Sequence, residues 1–166
     1  PEPQPERDID VLFVGNVNPA VQGGRLPWLA QLSRLQAGRH RVLITQGVRG
    51  KAYRELLWRS RIAFNRSIKG EWKLRVCEAA SCGALLFCEA GNPELIQGGW
   101  RHGENCVFYT DEEDLQRQLA WWLEHEQDRA RVAQAGREKA LSCTFAAGWE
   151  AACELVEAEL PRLKQD

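Results

Sequence analysis

The sequence predicts an α/β fold: a parallel sheet of about five strands, helices on both faces, and further helices at the C-terminal end. Two observations carry this. Short continuous apolar runs alternate with segments whose apolar residues recur at helical spacing, and strands without polar alternation are those buried on both faces. After residue 110 the strand signal stops and only helical patterns remain, which places extra helices beyond the sheet.

The elements follow in order. Pro1-Glu2-Pro3-Gln4-Pro5-Glu6-Arg7 is Pro-rich and polar and reads as linker, so residues 1–8 are set apart from a single domain at 9–166. Val11-Leu12-Phe13-Val14 is a buried strand that turns at Gly15-Asn16. Apolar residues at 26, 28, 29, 32 and 35 form a helical stripe, and Val42-Leu43-Ile44 is the second strand, with Gly47 beyond its end. Tyr53, Leu56 and Leu57 suggest a helix, and Ile62-Ala63-Phe64-Asn65 a third strand. A helix then runs through Arg75 and Glu78 to Gly83, the fourth strand spans 84–89, and the fifth 105–109. Thr110-Asp111-Glu112-Glu113 fits a capping box with acid in the first turn, where it favours the helix dipole. A helix follows over about 128–141. The last is capped by Thr144 and carries Trp149, Ala152, Leu155, Val156 and Leu160 at helical spacing.

Composition narrows the function. The chain has 166 residues, with 22 Lys and Arg against 23 Asp and Glu, so a nucleic-acid partner is not expected. A local basic pocket for one small anion is compatible with this balance. No apolar stretch approaches the roughly 20 residues of a membrane span, and no signal peptide opens the chain. Cys77, Cys82, Cys88, Cys106, Cys143 and Cys153 contain no Cys-x-x-Cys pair, so no metal site is expected and the thiols read as reduced, in a cytoplasmic protein. The chain contains no methionine, and with its Pro-rich start it is expected to be a C-terminal piece of a longer polypeptide.

In an open α/β sheet the ligand sits beyond the carboxyl ends of the strands. That singles out the loops after Asn16, Thr45, Asn65, Glu89 and Tyr109. The first contains Gly23-Gly24-Arg25, and the third leads to Lys73 and Arg75. Basic side chains beside helix N-termini suit a diphosphate. The chain has no Gly-x-Gly-x-x-Gly and no Walker loop, which disfavours an ordinary dinucleotide or ATP site.

Glu71, Arg75, Glu78 and Cys82 share one helical stripe, while Trp72, Val76, Ala79, Ala80 and Gly83 occupy the core side. On composition alone the simpler account is a solvated face with two ion pairs, each worth about 0.3–0.5 kcal/mol. The other account uses the Glu78 carboxylate as a two-oxygen acceptor for vicinal hydroxyls, as on a ribose. His40, His102 and His125 share no face, and Asn65 reads as a turn residue or a ligand contact. Trp58, Trp121, Trp122 and Trp149 read as core or interface. Trp72 and Trp100 are the aromatics placed nearest the expected crevice, though for these too packing is the simpler role.

The ordered set Arg75-x-x-Glu78-Ala79-Ala80-x-Cys82-Gly83-Ala84-Leu85, Asn92-Pro93-Glu94-Leu95, Gly103-Glu104-Asn105 and Asp111-Glu112-Glu113-Asp114-Leu115 resembles the C-terminal domain of GT-B glycosyltransferases, in the branch with the spore-maturation-type proteins. The resemblance runs from Asp10 to about Phe145, with Ala135-Gly136-Arg137 and Cys143-Thr144-Phe145 at its end. It implies one half of a GT-B fold, a Rossmann-like domain that binds the nucleotide-sugar donor, with UDP among the candidate nucleotides.

It further implies that Glu78 meets the ribose and that Arg25 faces the diphosphate. Lys73 and Arg75 help there, Gly15 and Asn16 lie at the nucleotide, and the Gly91-Asn92 turn approaches nucleotide or sugar. An N-terminal domain of the same polypeptide would supply the acceptor site and the remaining catalytic groups. No cofactor or metal is implied, and no nucleophile or general base is evident. Where the family carries its first motif glutamate this sequence has Gly70, with Glu71 one residue late. One residue is about 100 degrees of helix rotation, so the resemblance leaves retention or inversion open. Two alternatives stand beside this reading: half of a nucleotide-sugar epimerase, and a non-catalytic docking module.

Overall fold

A computed structural model describes residues 6–36, 38–67 and 74–163. Five strands, β1 (Ile9–Val14), β2 (Val42–Thr45), β3 (Ser60–Phe64), β4 (Leu85–Glu89) and β5 (Val107–Tyr109), form one sheet in the order β2-β1-β3-β4-β5. Every pairing is parallel. The helices are α1 (Pro19–Gln22), α2 (Leu26–Gln36), α3 (Gly50–Trp58), α4 (Leu74–Ser81), α5 (Pro93–Gln97), α6 (Glu112–Glu124), α7 (Glu126–Ser142) and α8 (Phe145–Leu163), and a 3-10 turn joins α1 to α2 at Gly23–Arg25. This is the predicted Rossmann-like α/β arrangement.

Side chains alternate across the strands, and both sets are buried. Val11, Phe13, Ile62, Phe64, Leu85, Phe87, Val107 and Tyr109 face a layer containing α2, α6 and part of α7. Leu12, Val14, Ala63, Leu86 and Cys88 face α3, α4 and α5. The apolar runs in the sequence are continuous for this reason: neither face meets water.

Three short elements escape a sequence reading: α1, the 3-10 turn and α5. Four or five residues are too few to show a helical period, yet two carry a readable start signal. Asn18 and Asn92 each precede a proline at the first helical position, and each accepts hydrogen bonds from helix-start amides. The cap of α6 also differs from the predicted box. Asp111, not Thr110, accepts from the Asp114 amide, at 2.8 Å.

Residues 6–8, assigned to linker from composition, are tied to the domain. Arg7 donates to the carbonyls of Ser60 and Cys82, and Asp8 pairs with Arg41 and Arg59. At the other end, Arg129 is buried and donates to the carbonyls of Trp122 and Leu123 at 2.8 and 3.0 Å, satisfying the end of α6. Helix α8 departs from the expected packing. Trp149 is 63 % exposed, and Leu155, Val156 and Leu160 are exposed too, so its apolar stripe does not enter the core. Trp100, by contrast, is 2 % exposed and packs in the α4-side layer.

Gly136 on α7 passes the loop before β5 closely. A Cβ there would stand 2.5 Å from the Asn105 carbonyl oxygen. Gly136→Ala is expected to cost about 1–3 kcal/mol, because backbone rather than a mobile side chain must yield; urea unfolding measures it. The Asp8 carboxyl is lowered to about 2, first by its bond to Arg59, below its ordinary value near 4. Its contribution is present above pH 4 and disappears as pH falls through 2. Asp8→Asn should therefore be less stable than wild type at pH 7, with the gap closing between pH 4 and 2 in thermal melts.

Candidate functional site

Strand β1 has β2 on one side and β3 on the other, so the chain switches direction across the sheet at this point. A crevice is expected outside the carboxyl ends of strands at such a switch. A cavity of about 800 Å³ opens there. Its walls are Val14, Gly15 and Asn16 from the end of β1, the loop Gln46 to Gly50 after β2, Tyr53 on α3, and Leu74, Arg75 and Glu78 on α4.

Helix α4 has the two faces that its spacing predicts. Val76, Ala79 and Ala80 are buried against the sheet, while Arg75 and Glu78 are half-buried and face the cavity. Gly83 then takes φ +75 and ends the helix, letting the chain drop directly into β4. Arg75 crosses to the tip of β1. A Cβ on Gly15 would lie 3.0 Å from Arg75 Nη1 and 2.8 Å from the Phe13 ring, so only glycine lets the guanidinium pass there. Asn16 is exposed, and its side chain accepts from the Asn18 amide at 2.9 Å.

The loop after β2 is one of the five strand-end loops the sequence singles out, though the resemblance assigns no site residue to it. Gly47 and Gly50 have φ of +76 and +58, left-handed conformations that let the chain turn along the cavity edge. Two glycines three residues apart at the carboxyl end of a strand are the sequence signal that marks this loop's residues in particular. Tyr53 was counted only as one apolar position of a helix. Its hydroxyl is driven up to about 12, first by burial and then by the Glu78 charge, against the opposing effect of Arg75. It keeps its proton across the neutral range. With Arg49 and Arg75 against Glu78, the wall offers two cations and one anion.

The remaining candidates lie elsewhere. Arg25 is 3 % exposed and does not line the cavity. Its guanidinium lies over the Phe13 ring and donates to the carbonyls of Asn16 and Arg66, both at 2.9 Å, tying the β1 loop to the β3 loop. Gly91 is exposed, and Asn92 is buried as the cap of α5, accepting from the Glu94 and Leu95 amides. Neither lines the cavity. Lys73 lies outside the described residues, as do Gly70, Glu71 and Trp72. Asn65 turns inward, where its carbonyl accepts from the Tyr109 hydroxyl at 2.9 Å. Arg66 pairs with Glu89 at 2.6 Å and covers the Trp28 ring. His102 accepts from the Phe108 amide at 3.0 Å and holds its loop. All six cysteines are free; Cys88 and Cys106 are buried with thiols pushed far up by burial, so neither is a nucleophile.

Fold and cavity together define an open α/β domain of Rossmann-like type with a cavity at its switch point. The chain belongs to the glycosyl transferase-like family, whose sequence model matches residues 5–149. That match bears out the GT-B resemblance at the level of the family; the spore-maturation branch is finer than the match reaches. No curated protein sequence matches the chain.

Among solved structures, the chain is similar to TarM, with 10 % identity and a TM-score of 0.69 over 93 % of this chain and 36 % of that one. It is also similar to sucrose-phosphate synthase from Thermosynechococcus elongatus, with 18 % identity and a TM-score of 0.60 over 93 % and 38 %. A third is Anabaena HepE in complex with UDP and glucose, with 19 % identity and a TM-score of 0.59 over 88 % and 40 %. At these identities the likeness is one of fold, and the chain spans 36 to 40 % of the length of these three structures. No helix among the described residues is long and apolar enough to cross a membrane. Among the same residues, no group of three or more His, Cys, Asp or Glu is placed to hold a metal ion.

Arg25→Met removes the donors to two part-buried carbonyls. It should cost about 2–4 kcal/mol in urea unfolding, measured on the chain without ligand. A stability equal to wild type would return Arg25 to a purely ligand-facing role.

Proposed function

We propose that this chain is the donor-binding half of a glycosyltransferase and takes a nucleoside-diphosphate sugar in the cavity at the switch point. The observation that carries the reading is that Glu78 and Arg75 stand on one wall, opposite the open glycine loop after β2. A carboxylate one helical turn from a guanidinium matches a ribose joined to a diphosphate. The carboxylate accepts from two vicinal hydroxyls, and the guanidinium and the Gly15-Asn16 backbone meet the phosphates. The base then lies toward Gln46 to Gly50.

The chemical demand of the transfer falls on the leaving diphosphate, which gains negative charge as the glycosidic bond breaks. Arg75, with backbone amides at the cavity, stabilises that charge in place, and no metal or other cofactor is needed for it. Lys73, Arg25, Gly91 and Asn92 remain in the proposal as the resemblance assigns them. Of these, Arg25 and Asn92 act in the described structure by holding loops. The acceptor and the other catalytic groups come in this reading from an N-terminal domain of the same polypeptide. Six free cysteines suit a cytoplasmic setting. UDP is the first nucleotide to test, because the HepE structure was solved with UDP and glucose. The docking-module reading draws on the exposed apolar residues of α8 and differs in needing no nucleotide.

Calorimetric titration with UDP, GDP, ADP and their sugars decides between them. One diphosphate should bind saturably, and Glu78→Ala should weaken it about 10- to 100-fold, the loss of hydrogen bonds to a charged group, without changing the melting temperature appreciably. Absence of binding by the folded wild-type chain would favour docking.

A further inference from the structure

Tyr53 lines the cavity together with the two charged side chains that α4 presents to it. Its hydroxyl oxygen is sealed from solvent and has no hydrogen-bond partner in place among the described residues. Glu78 and Arg75 nevertheless stand near enough to bear on its ionisation by charge and by loose side-chain hydrogen bonding that falls short of full bonding geometry. The ring lines the open cavity together with Gly15, Arg75 and Glu78, and its other side closes a void of about 10 Å³ behind Asn65. A phenylalanine would fill the same space without burying a hydroxyl that lacks a partner, an arrangement that costs stability. The hydroxyl keeps its proton at neutral pH, so it has one O–H to donate and lone pairs to accept.

Resting on the nucleotide-sugar reading above, we propose that Tyr53 is a positioning residue for Glu78 and sets the preference of this site for ribose over deoxyribose. In the liganded protein an Arg75 N–H donates to the phenol oxygen, and the phenol O–H donates to one carboxylate oxygen of Glu78. The second carboxylate oxygen is left turned toward the vicinal hydroxyls. A half-buried glutamate otherwise samples several rotamers, and fixing it in advance removes that entropy from the cost of binding. The relay also links the group that meets the diphosphate to the group that meets the sugar ring, so both are placed by one hydroxyl.

The test takes whichever of UDP, GDP or ADP the wild-type chain binds, together with its 2′-deoxy counterpart. Both are titrated into wild type, Tyr53→Phe, Glu78→Ala and the double variant. Tyr53→Phe should weaken the ribonucleotide about 5- to 10-fold and the deoxynucleotide no more than about twofold. It should add nothing in the Glu78→Ala background, because the two act as one unit, and it should leave the melting temperature equal or higher. Equal weakening of both nucleotides, or a full additional loss on top of Glu78→Ala, would mean that Tyr53 serves packing alone and would overturn the proposal. Unchanged affinity in Tyr53→Phe, where wild type binds, overturns it as well. Failure of wild type to bind any of the three diphosphates overturns the nucleotide reading itself, and this inference with it.

Discussion

Strand β1 is hydrogen-bonded along both edges and buried along all six of its residues, and the rest of the molecule is arranged around that constraint. Parallel neighbours on both sides require a crossover helix for each return, so helices must cover both faces. The only polar residue of the strand, Asp10, is admitted because Arg61, His40 and the Arg41 amide surround its carboxylate. The reversal in strand order falls at the same strand, so the place where burial is most complete is also the place where the cavity opens. Gly15 marks the boundary, with the core beneath it and the Arg75 guanidinium across it.

Arginines do much of the joining between elements, and they do it through carbonyls. Arg7 reaches Ser60 and Cys82, Arg25 reaches Asn16 and Arg66, Arg129 ends α6, and Arg137 donates to Ser81 at the end of α4. A buried carbonyl without a donor costs more than most single contacts return. A guanidinium, with five donors on a long stem, can meet two such carbonyls from a distance. The basic residues of this chain therefore divide by tertiary position. Arg25 and Arg129 are inside and structural, while Arg49 and Arg75 line the cavity.

The cavity wall combines rigid and adaptable parts. The face of α4 that carries Arg75 and Glu78 is held by Val76, Ala79 and Ala80 against the sheet, so the charged pair is presented by a packed helix. The loop after β2 also lines the cavity, with open space around the Cα atoms of Gly47 and Gly50 and the side chain of Arg49 among its residues.

The sequence by itself determined the class of fold, the five strands and the two faces of α4, because continuous apolar runs and a 3.6-residue period are local consequences of burial on known sides. It also pointed to Glu78, Arg75, Gly15 and Asn16, since the ends of strands are where a parallel sheet leaves space. Tertiary structure alone showed that Arg25 and Asn92 hold loops of their own chain, because a basic or amide side chain reads the same whether it meets a ligand or a carbonyl or amide of its own chain. It decided the role of Tyr53 as well. In the sequence that residue is one apolar position on a helix, and only the fold brings it to the same cavity wall as a guanidinium and a carboxylate of α4. The exposure of the α8 stripe was equally beyond the sequence: helical spacing shows that a face is apolar, and the fold decides whether anything lies against it.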